Sequence, residues 1–153
     1  MDFFSSLLSL LGIGSKRAEI ISEKRGEAYR LNMEFESLVN RTEGYLRIER
    51  SRVMFDVGNL FGDQFDVSQN CQAAFDRIDA DIRLAKETIA NNNLTIQAAS
   101  GFAALSKWDE VISILLRQRL AAEELLTSTE ASVRRFDELI EKAYSTVEIS
   151  ADK

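Results

Sequence analysis

The stretch that decides the fold is residues 105–147, LSKWDEVISILLRQRLAAEELLTSTEASVRRFDELIEKAYSTV. Leu105, Trp108, Ile112, Leu115, Arg119, Ala122, Leu126, Thr129, Val133, Phe136, Ile140, Ala143 and Val147 alternate in steps of three and four through six heptads. Only Arg119 and Thr129 are polar in that series. Steps averaging 3.5 residues hold one helix face toward its neighbours and imply left-handed supercoiling. Val111, Leu125 and Leu139 widen the face beyond a two-stranded seam, which suits a multi-helix core. Ser106, with Asp109 three residues on, resembles a capping box, so this helix is expected over about 106–147.

The same phase is legible upstream. Phe75, Ile78, Ile82, Ala85, Ile89, Asn92, Ile96, Ala99 and Ala103 keep the alternation over four heptads. Asn91-Asn92-Asn93 has the composition of a loop, yet the apolar phase passes through it without a slip. A continuous helix over 67–100 follows, opened by Asp66 with Gln69 and stopped by Gly101. Before it, Leu31, Phe35, Val39, Thr42, Leu46 and Val53 mark a helix over 15–57, flanked by Leu38 and Tyr45 and interrupted by Glu49. Ser15 is its expected N-cap and Gly58 its expected stop. Forty-three residues of helix make a rod of about 64 Å.

Residues 58–66, Gly-Asn-Leu-Phe-Gly-Asp-Gln-Phe-Asp, carry turn chemistry and read as the first loop. Connections this short between rods this long force successive helices to run antiparallel. The expected fold is all-α: an antiparallel up-down-up bundle of three long, coiled-coil-like helices over 15–148. A short amphipathic helix over 1–14 precedes it and a frayed tail over 149–153 follows. The amphipathic helix rests on Phe3, Phe4, Leu7, Leu8 and Leu11, opposite Ser5, Ser6 and Ser9, with Gly12 and Gly14 loosening the chain after it.

Composition agrees. The chain of 153 residues contains no proline, as long uninterrupted helices require. It contains no histidine, the side chain best suited to proton transfer near neutral pH and the commonest metal ligand. Cys71 is the single cysteine, so no intramolecular disulfide forms, a Cys–His nucleophile is excluded, and a reducing cytoplasm is the expected location. The net charge of −6 argues against a general nucleic-acid binder. No run reaches the roughly 20 apolar residues of a membrane span. Asp2 replaces the basic start of a signal peptide.

Carboxylates are the one abundant reactive group. Asp76, Asp79 and Asp81, with Asp63 and Asp66 nearby, lack the calcium-loop spacing and read as a solvated acidic face. Arg41, Arg47, Arg50 and Arg52 are interleaved with Glu43 and Glu49, and Glu43 to Arg47 is a favourable i, i+4 pair. Trp108 is expected to pack near one bundle end. Arg119 is expected to fix register, because a charge on a seam must find a partner or reach water.

These readings point to a non-enzymatic helical interaction or scaffold protein, without cofactor or metal. It would bind a protein partner or itself, as a homo-oligomer, and one version is a small acidic inhibitor. The expected contact residues are Phe3, Phe4, Leu7, Leu8 and Leu11 in the leader and Leu60, Phe61 and Phe65 in the first loop. The alternative is a membrane-peripheral protein anchored through residues 2–13, although serines rather than lysines on the polar face weaken attraction to anionic lipid.

Overall fold

The heptads of residues 105–147 form helix α3 (Leu105–Ala151), preceded by α1 (Phe3–Phe61) and α2 (Phe65–Ala98). The computed structural model describes the backbone of residues 3–62, 65–99 and 105–151 and the side chains of 16–62, 66–99 and 105–146. Among the described residues only Gly62 and Ala99 lie outside the helices, both as turns, and none is in a strand.

Cross-helix contacts fix the directions. Lys24 pairs with Asp109, Glu34 with Arg119 and Arg52 with Asp137. The sequence offset is constant at 85, so α1 and α3 run parallel. Glu43 pairs with Lys86, while Arg50 reaches back to Asp79, so α1 and α2 run antiparallel. Phe75 meets Phe136 with ring centroids 5.3 Å apart, while Asn92 meets Gln118, which makes α2 and α3 antiparallel as well. The order is up, down, up.

The apolar stripe of α1 is the spine of the core. Leu31, Phe35, Val39, Thr42, Leu46 and Val53 are all buried, as their spacing predicts. The larger cluster joins Phe35, Val39, Leu46, Val53 and Val57 to Phe75, Ile82 and Ile89 of α2 and Ala122, Val133 and Ile140 of α3. A smaller cluster near the other end joins Ala28 and Leu31 to Ile96, Trp108, Ile112 and Leu115. Trp108 is fully buried there. Its Nε1 has no hydrogen-bond partner among the described residues.

A polar layer separates the two clusters. Buried Asn32 donates from Nδ2 to Asn93 Oδ1 at 3.0 Å and to the Ile89 carbonyl at 3.5 Å. Asn92 Nδ2 donates to Asn32 Oδ1 at 2.9 Å and to Gln118 Oε1 at 2.7 Å. All three helices therefore share one amide network, and the asparagine run is helix interior. Beside it, Arg119 Nε sits 2.9 Å from Glu34 Oε2, and its other arm reaches Glu123 at 2.9 Å. Arg119 is one-third exposed, so it leans out of the seam while its head stays paired. Thr42 and Thr129 are buried without penalty, because each hydroxyl donates to a carbonyl one turn back, Leu38 O at 2.8 Å and Leu125 O at 2.7 Å.

Helix boundaries depart from the sequence expectation at three places. Gly12, Gly14 and Ser15 lie within α1, and a separate short helix over 2–13 is not shown. Extending a formed helix adds one hydrogen bond per residue fixed, whereas a second helix would need its own unfavourable nucleus. The loop expected over 58–66 shrinks to the link between Phe61 and Phe65. Val57 is buried and Leu60 and Phe61 pack against the main cluster. Burying those side chains outweighs the roughly 1 kcal/mol that a helical Gly58 costs. Finally, α2 and α3 run Phe65–Ala98 and Leu105–Ala151 rather than 67–100 and 106–147, so α3 continues past residue 148 into the expected tail.

Candidate functional site

Helices α2 and α3 both pack extensively on α1 but touch each other sparsely. Two rods supported by a third, and meeting each other at points such as Phe75–Phe136 and Asn92–Gln118, leave a groove between their outer flanks. Its walls face each other in antiparallel order: Leu84 and Ala85 stand across from Ala121 and Leu125, Thr88 across from Gln118, and Thr95 across from Val111. Two hollows lie along it. The larger, of about 320 Å³, has Phe35 of α1 as its floor and Ala85, Ala121 and Ala122 as its narrowest lining. The smaller, of about 110 Å³, lies between Asn92, Thr95 and Ile96 and the segment from Val111 to Leu115.

Three of the groove's polar side chains have partners within the protein. Thr88 Oγ1 donates to Leu84 O at 2.9 Å, Thr95 Oγ1 donates to Asn91 O at 3.0 Å, and Gln118 Oε1 accepts from Asn92. Asp81, at one end, is the one charged side chain lining either hollow. Large apolar groups stand at the rim: Leu84 is 64% exposed and Ile114 38%. The hollows are lined mainly by apolar side chains, with large apolar groups exposed at the lips.

Charged side chains are organised elsewhere, as clamps between helices. Arg50 bridges Asp76 at 2.7 Å and Asp79, so two members of the acidic cluster are neutralised from α1. Glu43, expected beside Arg47, pairs instead with Lys86 across the interface at 2.6 Å. Arg52 holds Glu49 and Asp137, each at 2.7 Å. Hydrogen bonds to Asp137 and then Glu49 push its pKa above the ordinary arginine value. Burial, then the nearby carboxylates led by Glu49, raises Tyr45. Burial also pushes the Cys71 thiol up to about 11. Among the described residues no three His, Cys, Asp or Glu side chains stand close enough together to hold a metal ion. No described helix is long and apolar enough to cross a membrane.

Of the contact residues expected from the sequence, Leu60 and Phe61 lie partly buried against the main cluster and close that end of the bundle. Phe65 opens α2, and its side chain lies outside the described residues, as do those of Phe3, Phe4, Leu7, Leu8 and Leu11. The sequence reading missed the groove itself. Ala85 and Ala122 read as seam positions and Leu125 as a widening of the face. The signal that carried more was the width of the α3 stripe, which exceeds what one partner helix covers. The pair Ala121-Ala122 adds to it, leaving room where a neighbour should stand.

No family model, curated protein sequence or solved structure matches this chain.

Proposed function

We propose that the protein is a non-enzymatic helical interaction protein whose working surface is the α2–α3 groove. The observation that carries this reading is the groove itself, with two largely apolar hollows on either side of the Asn92–Gln118 bond and lips at Leu84 and Ile114. Its mechanism is occupancy: a helix of a protein partner, or of another copy, lies against α2 and α3 as a fourth rod. Four helices around one core is a common solution to this packing problem. With a net charge of −6, one form of the function is a small acidic inhibitor that occludes a basic partner surface. Arg119, paired to Glu34 beside the amide layer, serves to hold register so that the groove keeps its shape.

A photocrosslinking residue placed in the full chain at Ala121, in the cell that makes it, tests this reading. Adducts with protein are expected from Ala121 and not from Glu36, an exposed control on α1. Equal labelling from both positions, or none from either, would overturn it.

A second reading is favoured by one observation. The pairing of Lys24 with Asp109 sets Ile20 level with Leu105, so the first residues of α1 outrun the bundle. A leader whose apolar residues recur at helical spacing over 2–13 would suit anchoring at a membrane surface. Co-sedimentation of the full chain with anionic vesicles, compared with a Leu7→Glu, Leu8→Glu variant, tests it; equal recovery in the supernatant dismisses the anchor.

A further inference from the structure

We propose that the groove between α2 and α3 receives residues 3–13 of a second copy of this chain, and that the exchange is reciprocal. This deepens the interaction reading above and rests on it. Three observations converge on that occupant.

The first is placement. Helix α1 starts at Phe3, yet its offset of 85 against α3 sets Ile20 beside the start of that helix. Residues 3–19 therefore extend beyond the bundle by about 25 Å. They point away from their own groove, which lies alongside the middle of α1 over Phe35. As part of one continuous helix, that segment reaches a groove only on another molecule.

The second is charge. From Phe3 to Ser15 the chain carries no charged residue. In a protein with 29% charged side chains this is unusual, and it matches a groove whose one charged lining residue, Asp81, sits at an end. Burying the segment there strands no ion in an apolar contact. The Thr88 and Thr95 hydroxyls and the Gln118 carbonyl oxygen are already bonded within the protein, so these groups do not call for a polar occupant.

The third is size and shape. Residues 3–13 as helix span about 16 Å; the α2 wall of the larger hollow, Asp81 to Thr88, spans about 10 Å, and the segment would continue over the Asn92–Gln118 bond toward the smaller hollow at Thr95 and Ile96. The segment offers bulky side chains, Phe3, Phe4, Leu7, Leu8 and Leu11, while the larger hollow is lined by Ala85, Ala121 and Ala122. Large knobs on one side and small residues on the other are how helices approach closely. Ser5, Ser6 and Ser9 would then face water.

Light scattering after size exclusion over a concentration series, with the full chain, tests the exchange. The unaltered protein should pass from 17.3 kDa to twice that mass as its concentration rises. Leu8→Glu damages the segment and leaves the groove intact; Ala121→Glu does the reverse. Each should weaken association at least about tenfold, since a buried unpaired charge costs well over the 1.4 kcal/mol that corresponds to tenfold. Ala121 is exposed, so the groove variant should keep its helical circular dichroism, and Leu84→Glu serves as a second groove variant. Mixing the Leu8→Glu and Ala121→Glu chains should restore a hetero-dimer, because one intact segment then meets one intact groove.

Three outcomes would overturn the proposal. A monomer at every concentration does so, including one whose segment binds anionic vesicles or folds back on its own chain. A dimer that survives both groove variants does so while leaving self-association standing. Failure of the mixture to complement does so while pointing to groove-on-groove contact. Protein adducts at Ala121 from a chain that stays monomeric would keep the broader interaction reading and remove only the second copy.

Discussion

Asn32 shows most clearly how one side chain divides this molecule. It is buried, and its amide links the carbonyl of Ile89, the side chain of Asn93 and the donor of Asn92. Removing it leaves the Asn93 side chain short of a donor and Asn92 with Gln118 alone, while the Ile89 carbonyl keeps its place in the α2 ladder. Asn32→Ala should therefore lower unfolding stability by about 1–2 kcal/mol, read from urea titration. Replacing Asn32 and Asn92 together by leucine should cost less than the sum of the single changes, because the layer is lost as a unit. The glycines give a contrasting pair. A Cβ at Gly44 would meet nothing within 4 Å, so Gly44→Ala should raise stability by roughly 0.5–1 kcal/mol. At Gly62 a Cβ would lie 2.9 Å from the Gly58 carbonyl, so Gly62→Ala should lower stability. Cys71 supplies the pH dependence. Its native thiol holds its proton up to about pH 11, against an ordinary value of 9.0. The unfolded chain releases that proton first, so the stability contributed by the buried thiol is intact below 9.0 and is lost as the pH rises toward 11. The stability advantage of the unaltered chain over Cys71→Ala should shrink as the pH rises from 9.0 to about 11.

At the scale of the helices, periodicity was the dependable signal and local composition the misleading one. The asparagine run and Gly58 both have the composition of loops, and both lie in helices. In each case apolar neighbours in phase, Ile89 and Ile96 around the first and Val57, Leu60 and Phe61 around the second, find partners in the core. That long-range burial is invisible to a window of a few residues. Asn91→Pro tests the helical run: it should cost about 3 kcal/mol or more, whereas in a loop the change would be under about 1 kcal/mol. The stripes of α1 and α3 were legible almost residue by residue, down to Trp108 and Thr129. Leu139 was not, and lies 43% exposed. Side chains that widen a stripe face a partner only where the partner is close enough, and that distance is a property of the assembled helices.

For the whole molecule, direction follows from short connections, whereas the openness of the groove does not. Heptads report that a face is buried and leave unstated which neighbour covers it. Here α1 covers the seams of both other helices, and the outer flanks of α2 and α3 are left facing one another across Ala85, Thr88 and Ala121. Ion pairs such as Glu43–Lys86 and Arg52–Asp137 are half-exposed and contribute roughly 0–1 kcal/mol each, so they set alignment more than stability. The central claim is that α1 is a spine flanked antiparallel by α2 and parallel by α3, leaving the groove on the side where α2 and α3 touch sparsely. Pulsed electron–electron spin resonance on a Cys71→Ala background tests it most directly, with labels at Asn40 and Thr127 in one protein and at Ser51 and Glu138 in another. All four sites are exposed, and the two pairs share one sequence offset. Parallel packing of α1 and α3 predicts two short distances that agree closely. One short distance and one of about 35 Å would mean that α1 and α3 run in opposite directions, and would contradict the account.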